Sequence, residues 1–234
     1  MRKDAVIITG ATKRLGLQFS KQCLHMGYDV VAHYRSSKGH LHSWMSRNGI
    51  GEHRVVHLQA DLTDDPENVI RQAVLSKKKI VGLINNASIY SPDTKDDPND
   101  FAKNLTTNAV SPMRLSMEFS NHVAKGWIIN ITDAHIYALD SAFQNYQISK
   151  RLLEEITIRL AARLAPRIRV NALAPGAMLP PAGGSKEDFE KLKETIPLKK
   201  VGDLDALRSG LVFLIENTYV TGQILYIDGG RHLV

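Results

Sequence analysis

Tyr146-Gln147-Ile148-Ser149-Lys150 sets a phenol and an ammonium four residues apart in a stretch with helical periodicity, which puts both on one face. An ammonium nearby favours phenolate, so the pair predicts a tyrosine whose pKa is drawn below its ordinary value of about 10, toward proton transfer at neutral pH. Asp133 lies thirteen positions upstream, just past an apolar run. Beside the phenol it could retain or relay a proton; as a turn or helix cap it would need no chemistry. Tyr-x-x-x-Lys is short and common, and its weight comes from what precedes it in the chain.

What precedes it is a phosphate cradle. Thr9-Gly10-Ala11-Thr12-Lys13-Arg14-Leu15-Gly16 follows the first apolar run and opens the first helical pattern, the setting a dinucleotide fingerprint requires. Gly10 permits a tight turn and Gly16 close packing, while the helix amino terminus offers free N–H groups and partial positive charge to a pyrophosphate. Lys13 and Arg14 put two cations at the mouth, Arg14 where such turns usually carry glycine. At the end of the second strand, where an NAD site would place an acid, the chain reads Tyr34-Arg35-Ser36-Ser37. Arg35 and Arg14, with Ser36, suit a 2′-phosphate, which predicts NADPH over NADH. Asp61-Leu62 closes the third strand, where a carboxylate would accept from an adenine amine or cap a turn. Asn85-Asn86-Ala87-Ser88 closes the fourth, with residues small enough for a ribose to lie against the backbone and asparagines able to stitch strand ends together.

These residues must be positioned by a framework, and the rest of the chain supplies one. Apolar runs at Ala5 to Thr9, Asp29 to His33, Arg54 to Leu58, Ile80 to Ile84, Gly126 to Ile131, Ile168 to Leu173 and Ile224 to Ile227 read as strands covered on both faces. Helical patterns at Leu15 to Met26, Pro66 to Ser76, Asp100 to Val123, Gln144 to Leu164 and Leu204 to Glu216 alternate with them. The expected fold class is α/β: one Rossmann-type doubly wound domain spanning residues 1–234, with about seven parallel strands and helices on both faces. Ligands then belong at the carboxyl ends of the strands. Pro175 to Ser185, with Pro175, Pro180, Pro181, Gly176, Gly183 and Gly184, reads as a loop past a strand end and a candidate substrate lid.

Composition narrows the classes. With 234 residues, 43% of them hydrophobic, the chain is globular, and a single cysteine, Cys23, excludes a disulfide framework or a multi-cysteine zinc site. The net charge of +6 could attract nucleic acid, but the cations are scattered. The tightest run, Lys77-Lys78-Lys79, reads as a solvated turn, and no aromatic-interleaved basic patch accompanies it. No secretory leader opens the sequence and no apolar stretch reaches membrane-spanning length, so a cytoplasmic protein without nucleic-acid or membrane partners is expected, and no metal.

Taken together, the glycine turn, Asn85-Asn86-Ala87, Tyr146-x-x-x-Lys150, Pro175-Gly176, Thr221-Gly222-Gln223 and Asp228-Gly229-Gly230 resemble the short-chain dehydrogenase/reductase family over nearly the whole chain. The resemblance implies that Tyr146 is the proton donor, that Lys150 holds the nicotinamide ribose, that Asn108 supports a proton relay through water, and that Pro175 and Gly176 border the cofactor. Most members carry a catalytic serine after the fifth strand; here the sequence is Asn130-Ile131-Thr132-Asp133-Ala134, with Thr132 one place early. Asp133, Arg14, Ser88 in place of the usual glycine, and the ending Asp228-Gly229-Gly230-Arg231-His232-Leu233 are similar to the pteridine reductase branch.

Reducing a pterin imine needs a proton at ring nitrogen as hydride reaches the adjacent carbon, and an acid beside Tyr146 suits that better than serine. The branch therefore implies NADPH-dependent reduction of a dihydropterin such as dihydromonapterin, with dihydrofolate or dihydrobiopterin as further candidates. Ser88, Tyr90, Asp133 and Tyr146 would contact the substrate, Tyr90 by stacking, with Tyr137 and Met178 as further pocket candidates. The family also implies a homotetramer built from the helices starting near Asp100 and Gln144. A 3-oxoacyl thioester or other carbonyl reductase, and a non-catalytic NADPH sensor, are the alternatives.

Overall fold

The computed structural model describes residues 4–37, 39–76, 79–93, 99–138, 142–180 and 185–234. Every strand of its sheet is parallel to its neighbours: β1 Asp4–Ile8, β2 Asp29–Tyr34, β3 Val55–Gln59, β4 Lys79–Asn85, β5 Gly126–Ile131, β6 Ile168–Pro175 and β7 Ile224–Ile227. Their order is β3-β2-β1-β4-β5-β6-β7. From β1 the chain winds outward to β3, then returns to β4 on the other side of β1. The crevice at the carboxyl ends of β1 and β4 is therefore where strand order reverses and a ligand belongs.

The continuous apolar runs are explained by the two faces. In β1, Val6 and Ile8 enter one buried cluster while Ala5 and Ile7 enter the other, so no position is left for a solvent-facing polar residue. β5 repeats the pattern, with Trp127, Ile129 and Ile131 on one side and Ile128 on the other. The first cluster is closed by Phe19 of α1 (Arg14–His25) and by Leu207, Leu211 and Leu214 of α8 (Leu204–Glu216). The second is closed by Ile70 of α3 (Glu67–Leu75), Phe119 of α5 (Ser111–His122) and Leu160 of α6 (Gln144–Leu164). Phe19 and Phe119 are fully buried, each burial stabilising the fold by about 1.5–3 kcal/mol.

Three elements depart from expectation. The helix predicted over Asp100 to Val123 is divided into α4 (Asp100–Leu105), a π-helical turn (Thr106–Val110) and α5. Pro112 has no N–H to give the carbonyl of Asn108, and the ladder widens around it. Helix α2 (Gly39–Arg47) lies outside the predicted helices: it is nine residues long, and only Leu41 and Met45 are buried on it. A further short helix, α7 (Lys186–Lys191), starts where the Ser185 hydroxyl accepts from Asp188 N–H at 3.0 Å. Lys77 and Lys78 of the lysine run, and Pro181, Gly183 and Gly184 of the predicted loop, lie outside the described residues. No helix among the described residues is long and apolar enough to cross a membrane, and none of their side chains cluster as a metal site.

Candidate active site

The glycine turn lies at the reversal point. Gly10 has φ +61°, in the region that favours glycine, and a Cβ on Gly16 would fall 2.0 Å from the Gly10 carbonyl oxygen, so helix and turn meet only because both residues lack side chains. Asn86 locks the arrangement from β4: its Nδ2 donates to the carbonyls of Thr9 at 2.9 Å and Gly10 at 3.2 Å, while Asn86 N–H and Ala87 N–H both donate to Thr9 Oγ1 at 2.9 Å. Asn85 turns the other way and donates to Asn130 Oδ1 at 2.8 Å, tying β4 to β5 inside the sheet. The two asparagines thus divide the stitching expected of them, one holding the turn and the other the strands.

Helix α1 begins without a side-chain cap, and no acid stands in its first turn. Its amino terminus is therefore open to an anion. Lys13 and Arg35 are exposed and make no side-chain hydrogen bond or ion pair among the described residues, and Ser36 is exposed beside Arg35. Tyr34, at the end of β2, lies edge to face with His57 at 6.3 Å. These residues fit a dinucleotide phosphate. Arg14 holds φ +47°, which accounts for the glycine usual there, and its Nη2 donates to the Pro180 carbonyl at 2.9 Å. The loop after β6 is thereby latched to the turn, a link no sequence pattern announced. Leu15 is partly buried against the first cluster.

At the third strand end the two expected contacts separate. Asp61 accepts from Thr63 N–H at 3.0 Å and Thr63 Oγ1 at 2.8 Å, and these bonds hold its carboxyl below the usual range. The carboxylate caps its own turn. Leu62 is buried in the second cluster, and only its backbone is placed to meet a ligand; its carbonyl already accepts from Ser111 Oγ at 2.6 Å.

The Tyr146 phenol donates to Asp133 Oδ2 at 2.9 Å, and Asp133 Oδ1 accepts from His135 N–H at 2.7 Å. Cap and acid are therefore one residue, anchored through one oxygen and facing the phenol through the other. Lys150, one helical turn along α6, donates from Nζ to the Ile131 carbonyl at 2.8 Å and lies 5.8 Å from the centre of the Tyr146 ring. The expectation that lysine lowers the tyrosine pKa is corrected here. Burial, then the Asp133 charge and its hydrogen bond, push the Tyr146 phenol well above its ordinary value. Burial in turn lowers the Lys150 ammonium to about 8, partly opposed by Asp133. The acid is in direct contact with the phenol and the ammonium is not.

Asn108 lies fully buried in the π-helical turn. Its Oδ1 accepts from Ser88 Oγ at 3.0 Å and Ile89 N–H at 2.9 Å, and its Nδ2 donates to the Ile89 carbonyl at 3.1 Å and Ser149 Oγ at 3.0 Å. That uses its full hydrogen-bonding capacity, so the side chain is a clamp between the β4 exit and α6 and not itself a member of a water relay. Ser88 is held by the same clamp.

Tyr90 is 61% exposed, stacks on Phe143 with ring centres 4.6 Å apart and planes 6° apart, and meets Tyr146 edge to face at 4.8 Å. One face of Tyr90 is thus already covered by a residue that sequence reasoning missed. Phe143 stands three positions before Tyr146, and nothing in its spacing marked it. Met178 is corrected from a pocket residue to a core one: it is buried in the first cluster and packed where a Cβ on Gly202 would meet its sulfur. Tyr137 is half exposed and donates to Glu154 Oε2 at 2.7 Å.

Pro175 ends β6, and Gly176 packs so tightly that a Cβ would meet the Asp228 backbone at 2.7 Å. Asp228 accepts from Gly230 N–H at 3.0 Å and from His232 N–H at 2.7 Å, which ties the terminal segment beneath this border. Thr221-Gly222-Gln223 instead stitches β6, with Gly222 N–H donating to the Val170 carbonyl at 2.7 Å and Gln223 N–H to Asn171 Oδ1 at 3.0 Å.

A model of the family described as enoyl-(acyl carrier protein) reductase matches residues 10–232. Among curated relatives, a glucose 1-dehydrogenase of Gluconobacter oxydans is 27% identical over 97% of this chain and 91% of its own. A dihydromonapterin reductase of Enterobacter sp. is likewise 27% identical, over 97% and 96%. The crystal structure of the FolM alternative dihydrofolate reductase 1 from Brucella canis, complexed with NADP, superposes with a TM-score of 0.89 at 31% identity, covering 98% of this chain and 94% of that one.

Proposed function

The chain belongs to the short-chain dehydrogenase/reductase family and resembles its pteridine reductase branch, and on that premise we propose that it reduces the C=N bond of a dihydropterin with NADPH. The single observation that carries this reading is the 2.9 Å hydrogen bond from Tyr146 to Asp133. A carbonyl reductase needs a neutral donor to a developing alkoxide at that position. A pterin imine needs a proton at ring nitrogen and a polar group to take its amino edge. Thr132, the nearby hydroxyl, is 4% exposed and turned into the protein, so it does not replace the missing serine.

When bound, NADPH supplies the hydride. Gly10, Gly16 and the open end of α1 would receive its pyrophosphate, and Lys13, Arg35 and Ser36 its 2′-phosphate, with Arg14 shared between phosphate and lid. Tyr34, Asp61, Leu62, Asn86, Ala87, Pro175 and Gly176 would border the nucleotide. Tyr146 would give its proton to the pterin nitrogen, the Asp133 carboxylate would take a proton from solvent and pass it to the phenolate left behind, and Lys150, held by the Ile131 carbonyl, would orient the ribose beside them. Ser88 and the largely exposed Tyr90 would bound the flat ring. Likeness to a dihydromonapterin reductase and to an alternative dihydrofolate reductase solved with NADP supports this assignment. Exposed Phe101, Met113, Ile148, Leu152 and Ile158 on α4, α5 and α6 fit the homotetramer such a family member would form.

Replacing Asp133 by Ser is the test. Dihydropterin turnover should fall about a hundredfold or more while NADPH affinity holds, given that one positioned proton-transfer group contributes about 10²–10⁴. Undiminished turnover would remove the acid from the reaction.

A further inference from the structure

His33 is the penultimate residue of β2, 2% exposed, and its imidazole bridges two strand ends. Nδ1 lies 3.2 Å from the Gly10 N–H, and Nε2 lies 3.1 Å from the Ala60 carbonyl oxygen just past β3. Its own carbonyl accepts from Ala11 N–H at 2.9 Å. One residue therefore fixes both Gly10 and Ala11, and through Gly10 the φ +61° bend of the turn.

The partners dictate the tautomer. A peptide N–H only donates and a carbonyl only accepts, so the ring must carry its hydrogen on Nε2 and present a lone pair at Nδ1. A doubly protonated ring would set N–H against the Gly10 N–H. We propose that neutral His33, as the Nε2–H tautomer, is the positioning residue of the nucleotide turn and gates NADPH binding by its protonation. The inference rests on the turn being the NADPH site proposed above.

The surroundings favour the neutral form. Burial lowers the His33 pKa, opposed by the Ala60 carbonyl and the charge of Asp61. Asp61 is occupied with Thr63 and is itself acted on by Arg35, on the same strand end as His33. On β3, His57 faces Tyr34; on the turn side the nearest cations in the chain are Lys13 and Arg14. A protonated His33 would also stand beside an anion-binding turn whose N–H it no longer holds, so loss of the bend opposes any Coulombic gain toward phosphate.

The experiment is NADPH dissociation constants for wild type, His33→Asn and His33→Gln across pH, with ¹⁵N-NMR of the imidazole in the ligand-free wild type. Asn keeps an acceptor where Nδ1 stands but does not titrate; Gln replaces the Nε2 side only. Expected are an Nε2–H ring by NMR, and wild-type affinity that falls roughly tenfold more than that of His33→Asn between about pH 8 and pH 5, across the histidine range. Titration of the 2′-phosphate is common to both proteins and cancels. His33→Gln should bind more weakly than His33→Asn at neutral pH. An Nδ1–H ring, or parallel pH profiles for wild type and His33→Asn, would overturn the role of His33. Absence of NADPH binding by wild type at every pH would instead overturn the NADPH assignment on which the inference rests. The NMR result stands even where a variant does not fold.

Discussion

The Tyr146 hydroxyl donates to Asp133 Oδ2 at 2.9 Å, and the negative partner holds the phenol in its protonated form. Asp133→Asn removes both the charge and the charge-assisted bond and leaves burial, with a smaller contribution from Tyr90, to raise the phenol. The Tyr146 pKa should therefore fall, and the alkaline limb of kcat/KM for a dihydropterin should move to lower pH. A pH–rate profile in both proteins measures it; an unmoved limb would uncouple the two residues. Tyr146→Phe, which removes the proton outright, should cost about a hundredfold or more in kcat.

Arg35 is exposed just past β2, with Ser36 beside it, and its side chain makes no hydrogen bond or ion pair among the described residues. Arg35→Asp replaces an attraction to a 2′-phosphate with a repulsion. The ratio of kcat/KM with NADPH to that with NADH should drop by about 10- to 100-fold, as expected for losing a charge-assisted hydrogen bond. A ratio that persists would assign the phosphate to other cations.

Much of the fold was legible because burial on both faces of a parallel sheet writes itself as uninterrupted apolar runs. β5, α6, α8 and β7 fall where the pattern put them, and the other strands differ by a residue or two at their ends. Helix α2 escaped because its apolar residues, Leu41, Trp44 and Met45, span little more than one turn, and the π-helical turn escaped because a widened ladder keeps helical periodicity. At the site, spacing along α6 gave Tyr146 and Lys150 one face but could not tell which charge the phenol touches. Asp133 is in contact and the Lys150 ammonium is not, which reversed the expected direction of the tyrosine shift. Phe143, the Arg14 to Pro180 latch and the tautomer of His33 depend on side-chain directions and loop closure, which leave no local pattern.

Tyr90 presents one ring face to Phe143 and lies edge to face with Tyr146. Tyr90→Leu should raise KM for a dihydropterin severalfold while leaving NADPH affinity unchanged, since an aromatic pair contributes about 0.5–1.5 kcal/mol beyond area. Steady-state kinetics with titrated NADPH separates the two, and an unchanged KM would exclude stacking.

Lys150 gives a stability prediction with a definite sign. Its pKa is lowered from 10.5 to about 8 in the fold, so between those values the unfolded chain binds the extra proton. Stability of the ligand-free protein therefore rises with pH across that window relative to Lys150→Met, by on the order of 3 kcal/mol in full. Below about pH 8 both states are protonated and the difference is constant. Urea midpoints of the two proteins at several pH values read this out; parallel curves would mean that Lys150 is not desolvated.

The central claim is tested most directly by offering the purified protein and NADPH a dihydropterin, such as dihydromonapterin, and an acetoacetyl thioester separately, and comparing kcat/KM from loss of nicotinamide absorbance. Reduction of the dihydropterin with little or no turnover of the thioester is predicted, because Asp133 occupies the place of a neutral donor. Efficient reduction of the thioester, with the dihydropterin inert, would contradict the account and make the protein a carbonyl reductase on the same fold.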